Sequence, residues 1–95
     1  IRDAFGAAAS EIPVSSTKSM SGHLISAAAV FEALACLVAI KRNMIPPTIN
    51  LDNPDKECCL RHVPHQAISS PVHVAASNSF GFGGSNLCLI LKSAA

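Results

Sequence analysis

The sequence predicts an α/β chain: one long buried helix in the first half, a proline-punctuated middle and an antiparallel strand pair at the C-terminal end. Three observations carry this. Residues 24–40 are mostly apolar, with Glu32 the ionisable exception, a length and pattern suited to a helix rather than a strand. Residues 72–77 and 86–91 are strand-like and are joined through a segment holding Gly81, Gly83 and Gly84. Hydrophobic residues make up 49% and charged residues 14%, with a mean hydropathy of +0.39. A free-standing domain this small exposes much surface and carries about 25% charged residues to cover it. Some faces are therefore expected to be buried against protein outside these 95 residues, as in a fragment of a larger chain.

The elements follow in order. Residues 1–10 read as the tail of a helix broken at Gly6. Residues 12–16 form a short strand, with Pro13 tolerated at its start. Ser21 is expected to cap a helix running from about residue 22 to residue 41. Lys41 and Arg42 suit the negative end of its dipole, and Pro46-Pro47 prevents its continuation. Prolines at 46, 47, 54, 64 and 71 and the turn signal Asp52-Asn53-Pro54-Asp55 make residues 43–71 irregular. A stretch of that kind packs over a surface or lines a site. Residues 86–91 are apolar at nearly every position, as a strand buried on both faces would be.

Composition excludes several functions. The net charge is +1 with Lys and Arg scattered, which gives no footprint for nucleic acid or an anionic membrane. Residues 24–40 sit at the short limit of a membrane span and contain Glu32, so a buried helix is expected there. The four cysteines, Cys36, Cys58, Cys59 and Cys88, form no disulfide framework, and a reducing, cytoplasmic setting is expected. Adjacent Cys58 and Cys59, with His62 and His65 following, lack the spacing of a zinc site, so no metal is expected. Gly81, Gly83 and Gly84 precede a strand, whereas phosphate loops need a following helix. Glycines there suit a hairpin with positive φ and exposed N–H groups, the way an oxyanion hole or a close ligand approach is built.

The chemistry concentrates in Ser16-Thr17-Lys18-Ser19-Met20-Ser21-Gly22-His23. A cation and an imidazole stand together just before an apolar helix, which points to a shielded pocket. The ordinary alternative is a solvated loop lysine and a helix-terminal histidine satisfied by hydrogen bonds. In a first helical turn, the positive dipole end favours a neutral imidazole able to donate a hydrogen bond. Glu32, if buried, needs a cationic partner, and Lys18 is one candidate. Counted along the expected helix, Glu32 lies ~15 Å from Gly22, so the pairing requires the Lys18 loop to fold back.

Ser15-Ser16-Thr17-Lys18-Ser19-Met20-Ser21-Gly22-His23, Pro46-Pro47-Thr48-Ile49-Asn50-Leu51 and Asn78-Ser79-Phe80-Gly81-Phe82-Gly83-Gly84-Ser85-Asn86 occur in that order. Together they resemble the C-terminal portion of the β-ketoacyl-acyl carrier protein synthases, in particular the elongating type II condensing enzymes of fatty acid synthesis. The resemblance implies a thiolase-like fold of α-β-α-β-α layers built from two related halves. Residues 1–95 would be the end of the second half, an incomplete domain in which one long buried helix packs on a mixed sheet with a C-terminal antiparallel strand pair.

The implied activity is that of an acyltransferase performing a decarboxylative Claisen condensation. A cysteine takes an acyl group from acyl carrier protein, and the carbanion left by decarboxylated malonyl-carrier protein attacks that thioester. By the same resemblance, His23 is the second active-site histidine, Lys18 the lysine before it and Glu32 the partner of Lys18. Phe82 supplies an oxyanion-hole N–H and a gating ring, while Phe80, Gly81, Gly83 and Gly84 contact substrate. The family implies no cofactor; its partners are acyl carrier protein and a second copy of the full-length enzyme, with no nucleic acid and no membrane. Its nucleophilic cysteine and first histidine lie upstream of the matching region, so these 95 residues alone are expected to condense nothing. The alternatives are a non-condensing subunit resembling a chain-length factor, a polyketide ketosynthase fragment, or a free-standing binding module built on the glycine hairpin.

Overall fold

The computed structural model describes residues 1–94 and has the α/β fold class that the sequence predicts. The N-terminal stretch forms helix α1 (Arg2–Phe5), which breaks at Gly6 (φ 54°) into a 3-10 turn over Gly6–Ser10. Strand β1 (Pro13–Val14) pairs in parallel with β3 (Arg61–His62). Between them in the chain come the one-turn helix α2 (Lys18–Ser21), the long helix α3 (Ala28–Arg42) and β2 (Met44–Ile45). Strand β2 pairs antiparallel with β4 (Ile68–Ser69). Finally β5 (Val74–Phe80) and β6 (Asn86–Lys92) form an antiparallel pair in which Phe80 faces Asn86 and Val74 faces Lys92.

The main helix starts later than the sequence signals indicate. Gly22 takes φ 72° and closes α2 by donating its N–H to the Lys18 carbonyl at 2.9 Å. A 3-10 turn over Ile25–Ala27 follows, and α3 begins at Ala28 with no side-chain cap. Ser21 is therefore the last residue of a short helix instead of an N-cap, because its hydroxyl bonds back to the Thr17 carbonyl at 3.2 Å. The C-terminal end is where the sequence puts it. Asn43 adopts the left-handed conformation at φ 51°, with Lys41 and Arg42 in the last turn. An asparagine tolerates that region, and the αL residue ends the helix. The Asn43 side-chain carbonyl then accepts the Val72 N–H at 3.0 Å.

One narrow stripe of α3 is covered. Ala28, Glu32, Ala35, Cys36 and Ala39, spaced at helical periodicity, are buried or half-buried. On β5 the alternate residues Ala75, Ser77 and Ser79 are half-buried, and α3 packs principally against this strand. Small side chains on both elements let the backbones approach closely. The rest of α3 is apolar but uncovered: Val30, Phe31, Leu34, Leu37 and Val38 are all exposed. A helix apolar all round is one built to be buried all round.

The same holds for β6. It reads as a strand covered on both faces, yet Leu87, Leu89 and Ile90 are exposed here and only Leu91 is half-buried. Among the described residues β5 is its one hydrogen-bonded neighbour. No helix among the described residues is long and apolar enough to cross a membrane.

Residues 43–71 are irregular apart from two-residue strands. Their order comes from a ladder centred on Val63, which is 2% exposed. Val63 donates its N–H to the Val14 carbonyl at 3.2 Å and accepts the Thr48 N–H at 2.7 Å. The Thr48 carbonyl in turn accepts the His65 N–H at 3.0 Å.

Candidate active site

A cleft of about 660 Å³ opens between the α2–α3 connection and the facing ends of β5 and β6. Three separate stretches meet in it: Lys18 and His23 from the octapeptide region, Ala28, Ala29 and Glu32 from the first turns of α3, and Phe80, Gly81 and Asn86 from the hairpin. They are distant in sequence. What unites them is the packing of α3 on β5, which sets the helix start beside the hairpin end.

Lys18 Nζ donates to Glu32 Oε1. The Glu32 side chain is 14% exposed and that of Lys18 39%, so the carboxylate is largely removed from water while the ammonium keeps part of its hydration. The helical ~15 Å separation does not arise, because α3 starts only four residues before Glu32. The chain from α2 doubles back at Gly22, and Lys18 arrives beside the second turn of α3. Replacing Glu32 by glutamine in the full-length protein removes the carboxylate and leaves the lysine facing a desolvated amide. The cost is expected at about 1–3 kcal/mol, between an exposed pair and a fully buried one. Thermal unfolding checks this, and Glu32→Gln combined with Lys18→Met should lose less than the two single losses added.

His23 lies in the connection between the helices and not in the first turn of α3. Its Nδ1 accepts the Ile25 N–H at 2.9 Å. A ring nitrogen that accepts a hydrogen bond carries a lone pair, so the neutral ring holds its proton on Nε2, where it can be donated. Outside the first turn of α3 the expected help of the helix dipole does not apply, and this local hydrogen bond sets the tautomer. That bond is part of an unusual turn. Ile25 has φ 50°, a conformation that β-branched residues rarely adopt and that costs of order 1–3 kcal/mol.

Phe80 and Gly81 line the cleft; Phe82, Gly83 and Gly84 do not. Gly81 donates to the Ser85 carbonyl at 2.7 Å and closes the loop. Gly83 (φ 77°) and Gly84 (φ 84°) use the left-handed freedom that glycine supplies. The Phe82 ring is fully exposed and touches neither His23 nor Lys18 across the cleft. Asn78, Ser79 and Asn86 also line it. Sequence reasoning gave these no individual role, although polar residues flanking the glycine segment between two strand-like runs were the available signal.

The cysteines separate clearly. Cys58, Cys59 and Cys88 are exposed, and Cys36 is half-buried on the covered stripe of α3. Burial, and secondarily the Glu32 carboxylate, push the Cys36 thiol above its ordinary value of 9.0. A nucleophilic cysteine needs the opposite shift. A raised thiol is neutral at physiological pH. Its contribution to stability is full below the unfolded value and is lost as pH rises through the folded one. Iodoacetamide should therefore label Cys36 of the full-length protein more slowly than a free thiol at every pH below about 9, with its rate levelling off at a higher pH than a free thiol's, measured by peptide mass spectrometry across a pH series.

A second hollow, of about 380 Å³, lies on the other side of α3 among Met20, Phe31, Leu34, Val38, Met44 and Pro46. Its lining is apolar apart from Thr17 and Arg42 at its edge.

Comparison with known proteins places the fold and the family. A 3-oxoacyl-acyl-carrier-protein synthase 2 of Synechocystis sp. is 53% identical over 92 residues, which is 97% of this chain and 22% of that protein. The enzyme of the same name from Rhizobium meliloti is 53% identical over 92% of this chain and 21% of its own length, and that of Coxiella burnetii is 48% identical over 97% and 22%. The chain thus spans about a fifth of the curated relatives it matches. Among solved structures, a type II PKS acyl-carrier protein in complex with its ketosynthase bound to the hexaketide (AntDE:AntF) superposes with a TM-score of 0.95. It is 34% identical over 99% of this chain and 23% of that one. The ishigamide ketosynthase/chain length factor gives a TM-score of 0.71 at 40% identity, over 73% of this chain and 17% of that one. Residues 1–52 match the model of the beta-ketoacyl synthase C-terminal domain, and by that match, together with its relatives, the chain belongs to the β-ketoacyl synthase family.

Proposed function

We propose that the cleft is the decarboxylating wall of a 3-oxoacyl-acyl-carrier-protein synthase of fatty acid biosynthesis, and that residues 1–95 are the end of the C-terminal half of that enzyme. The observation that carries this is the meeting of His23, the Lys18–Glu32 pair and the Phe80–Gly81 end of the hairpin in one cleft. Loss of carbon dioxide from a malonyl thioester develops negative charge on the thioester oxygen. His23 Nε2–H donates to that oxygen, and a donor aimed at developing charge accelerates the step. Lys18, held by Glu32, keeps positive charge beside the same face without moving a proton. Phe82 offers its backbone N–H to the acyl thioester once the hairpin loop meets the rest of the enzyme, and Gly83 and Gly84 let that loop move. Phe80 and Gly81 contact the substrate.

Acyl carrier protein delivers both substrates, and the full-length enzyme works as a homodimer, requiring no cofactor. The nucleophile comes from outside these residues. Cys36 is shifted in the wrong direction for that role, and the isolated chain condenses nothing. A second reading has its own support, since the ishigamide ketosynthase/chain length factor is a structural neighbour. On that reading the chain belongs to a polyketide ketosynthase or a non-condensing partner subunit. Identities of 48–53% to the 3-oxoacyl-acyl-carrier-protein synthases 2, against 34% to the type II PKS ketosynthase complex and 40% to the ishigamide ketosynthase/chain length factor, favour the first. The test is His23→Ala in the full-length protein, with malonyl decarboxylation scored separately from self-acylation. Unchanged decarboxylation would remove the reading.

A further inference from the structure

We infer that Thr48 and Ser19 are positioning residues that clamp the Lys18 turn, so that the Lys18 ammonium stays opposed to Glu32 at the edge of the cleft. The inference rests on the decarboxylation reading above. Lys18 opens a helix of a single turn, α2, and a helix this short has little stability of its own. Something else must hold it.

Two hydroxyls do so from opposite sides. Thr48 Oγ1 accepts the Ser16 N–H at 2.8 Å, fixing the chain two residues before Lys18. Ser19 Oγ, one residue after Lys18, accepts the Ile49 N–H at 2.9 Å and donates to the Ser16 carbonyl at 2.9 Å. Neighbouring residues 48 and 49 thus grip both ends of the turn that carries the lysine. The grip is stiff because Thr48 belongs to the ladder around Val63. Its N–H donates to the Val63 carbonyl at 2.7 Å, and its carbonyl accepts the His65 N–H at 3.0 Å. Pro46 and Pro47 before it fix their own φ and supply no competing donor. The segment thereby carries the rigidity of the Val63 ladder to a turn that lacks a core of its own.

Thr48 is not among the residues that line the cleft, so any effect it has on chemistry must pass through the turn. Ser16 is exposed, so water replaces the lost acceptor when Thr48 is changed. The loss then appears as freedom of the turn and not as a stranded buried donor. This separates a positioning role from a merely structural one: stability should move little and the decarboxylation step should move a good deal.

The experiment uses the full-length enzyme with Thr48→Val, Thr48→Ser and Ser19→Ala, with His23→Ala as reference and malonyl-carrier protein as the probe. Thr48→Val keeps the branched shape and removes the acceptor. Malonyl decarboxylation should fall by about 10- to 100-fold, as displaced catalytic groups commonly cause. Self-acylation from an acyl-carrier thioester and the thermal midpoint should stay near wild type. Thr48→Ser should restore most of the rate, and Ser19→Ala should slow decarboxylation to a similar extent, with some loss of stability because the Ile49 N–H it leaves is part-buried. The clamp is overturned if Thr48→Val decarboxylates at the wild-type rate, if the serine variant is as slow as the valine variant, or if decarboxylation and self-acylation fall together. A wild-type rate for His23→Ala would instead overturn the reading of the cleft, and with it any catalytic meaning for the clamp.

Discussion

Full-length enzyme carrying His23→Ala is expected to decarboxylate malonyl-carrier protein about 10²- to 10³-fold more slowly, the usual loss for one preorganised donor to a developing oxyanion. On the proposed reading self-acylation uses a cysteine outside this chain, and it should continue. Alanine removes two things at once: the Nδ1 acceptor of the Ile25 N–H, and the Nε2–H that the proposed reading uses as a donor in the cleft His23 lines. His23→Asn probes the position of the donor. Its side-chain carbonyl can take over the Ile25 N–H two residues on, as asparagine does in turns, and its amide still carries two N–H donors on a shorter side chain. If the asparagine variant is as slow as alanine, the donor must stand where the outer ring nitrogen stands. If alanine itself keeps the wild-type rate, His23 serves the strained turn at Ile25 and the chemistry belongs to another group.

The second large effect concerns folding. Produced alone, these 95 residues are expected to lack a cooperative unfolding transition, to bind ANS and to associate with rising concentration. Among the described residues, the buried apolar side chains are Ala9, Ala28, Ala39 and Val63, with Pro47 also buried. A buried methylene contributes only about 0.8 kcal/mol, while ordering each residue's backbone costs about 1–2 kcal/mol. Meanwhile Leu34, Leu37 and Val38 on α3 and Leu87 and Ile90 on β6 remain in water. Exposed apolar area on this scale marks an interaction surface or an aggregation liability. Because the chain has no Trp or Tyr, far-UV circular dichroism and ANS emission are the suitable probes. A sharp monomeric transition without ANS binding would contradict the prediction and favour a free-standing module.

Much of the fold was legible. The helix end at Arg42, the Gly6 break and the C-terminal strand pair follow from local signals that tertiary packing did not override. The helix start was not legible, because Ser21 and Gly22 carry both an N-cap and a C-cap signature. A glycine following a serine can begin one helix or end another. Only the φ of 72° at Gly22 decides between them, and that angle is set by the return of the Lys18 turn to α3. Residues 86–91 were legible as a strand but not their exposure, since the pattern records the environment for which β6 evolved and not the faces these residues cover by themselves.

For the site the division is similar. By itself the sequence determined which residue types are on offer for chemistry: a lysine, a histidine and an isolated helix glutamate in an apolar setting, and a glycine loop followed by a strand. Those are choices of functional group, and they are written in the residues. Tertiary structure alone decided who meets whom. It brought Lys18 to Glu32 by starting α3 at Ala28, oriented His23 through the Ile25 N–H and not a helix dipole, and set Phe80 and Gly81 inside the cleft with Phe82 outside it. The reason is physical: pairing and orientation depend on distances between segments far apart in the chain, and those distances are fixed by packing small residues of α3 on small residues of β5.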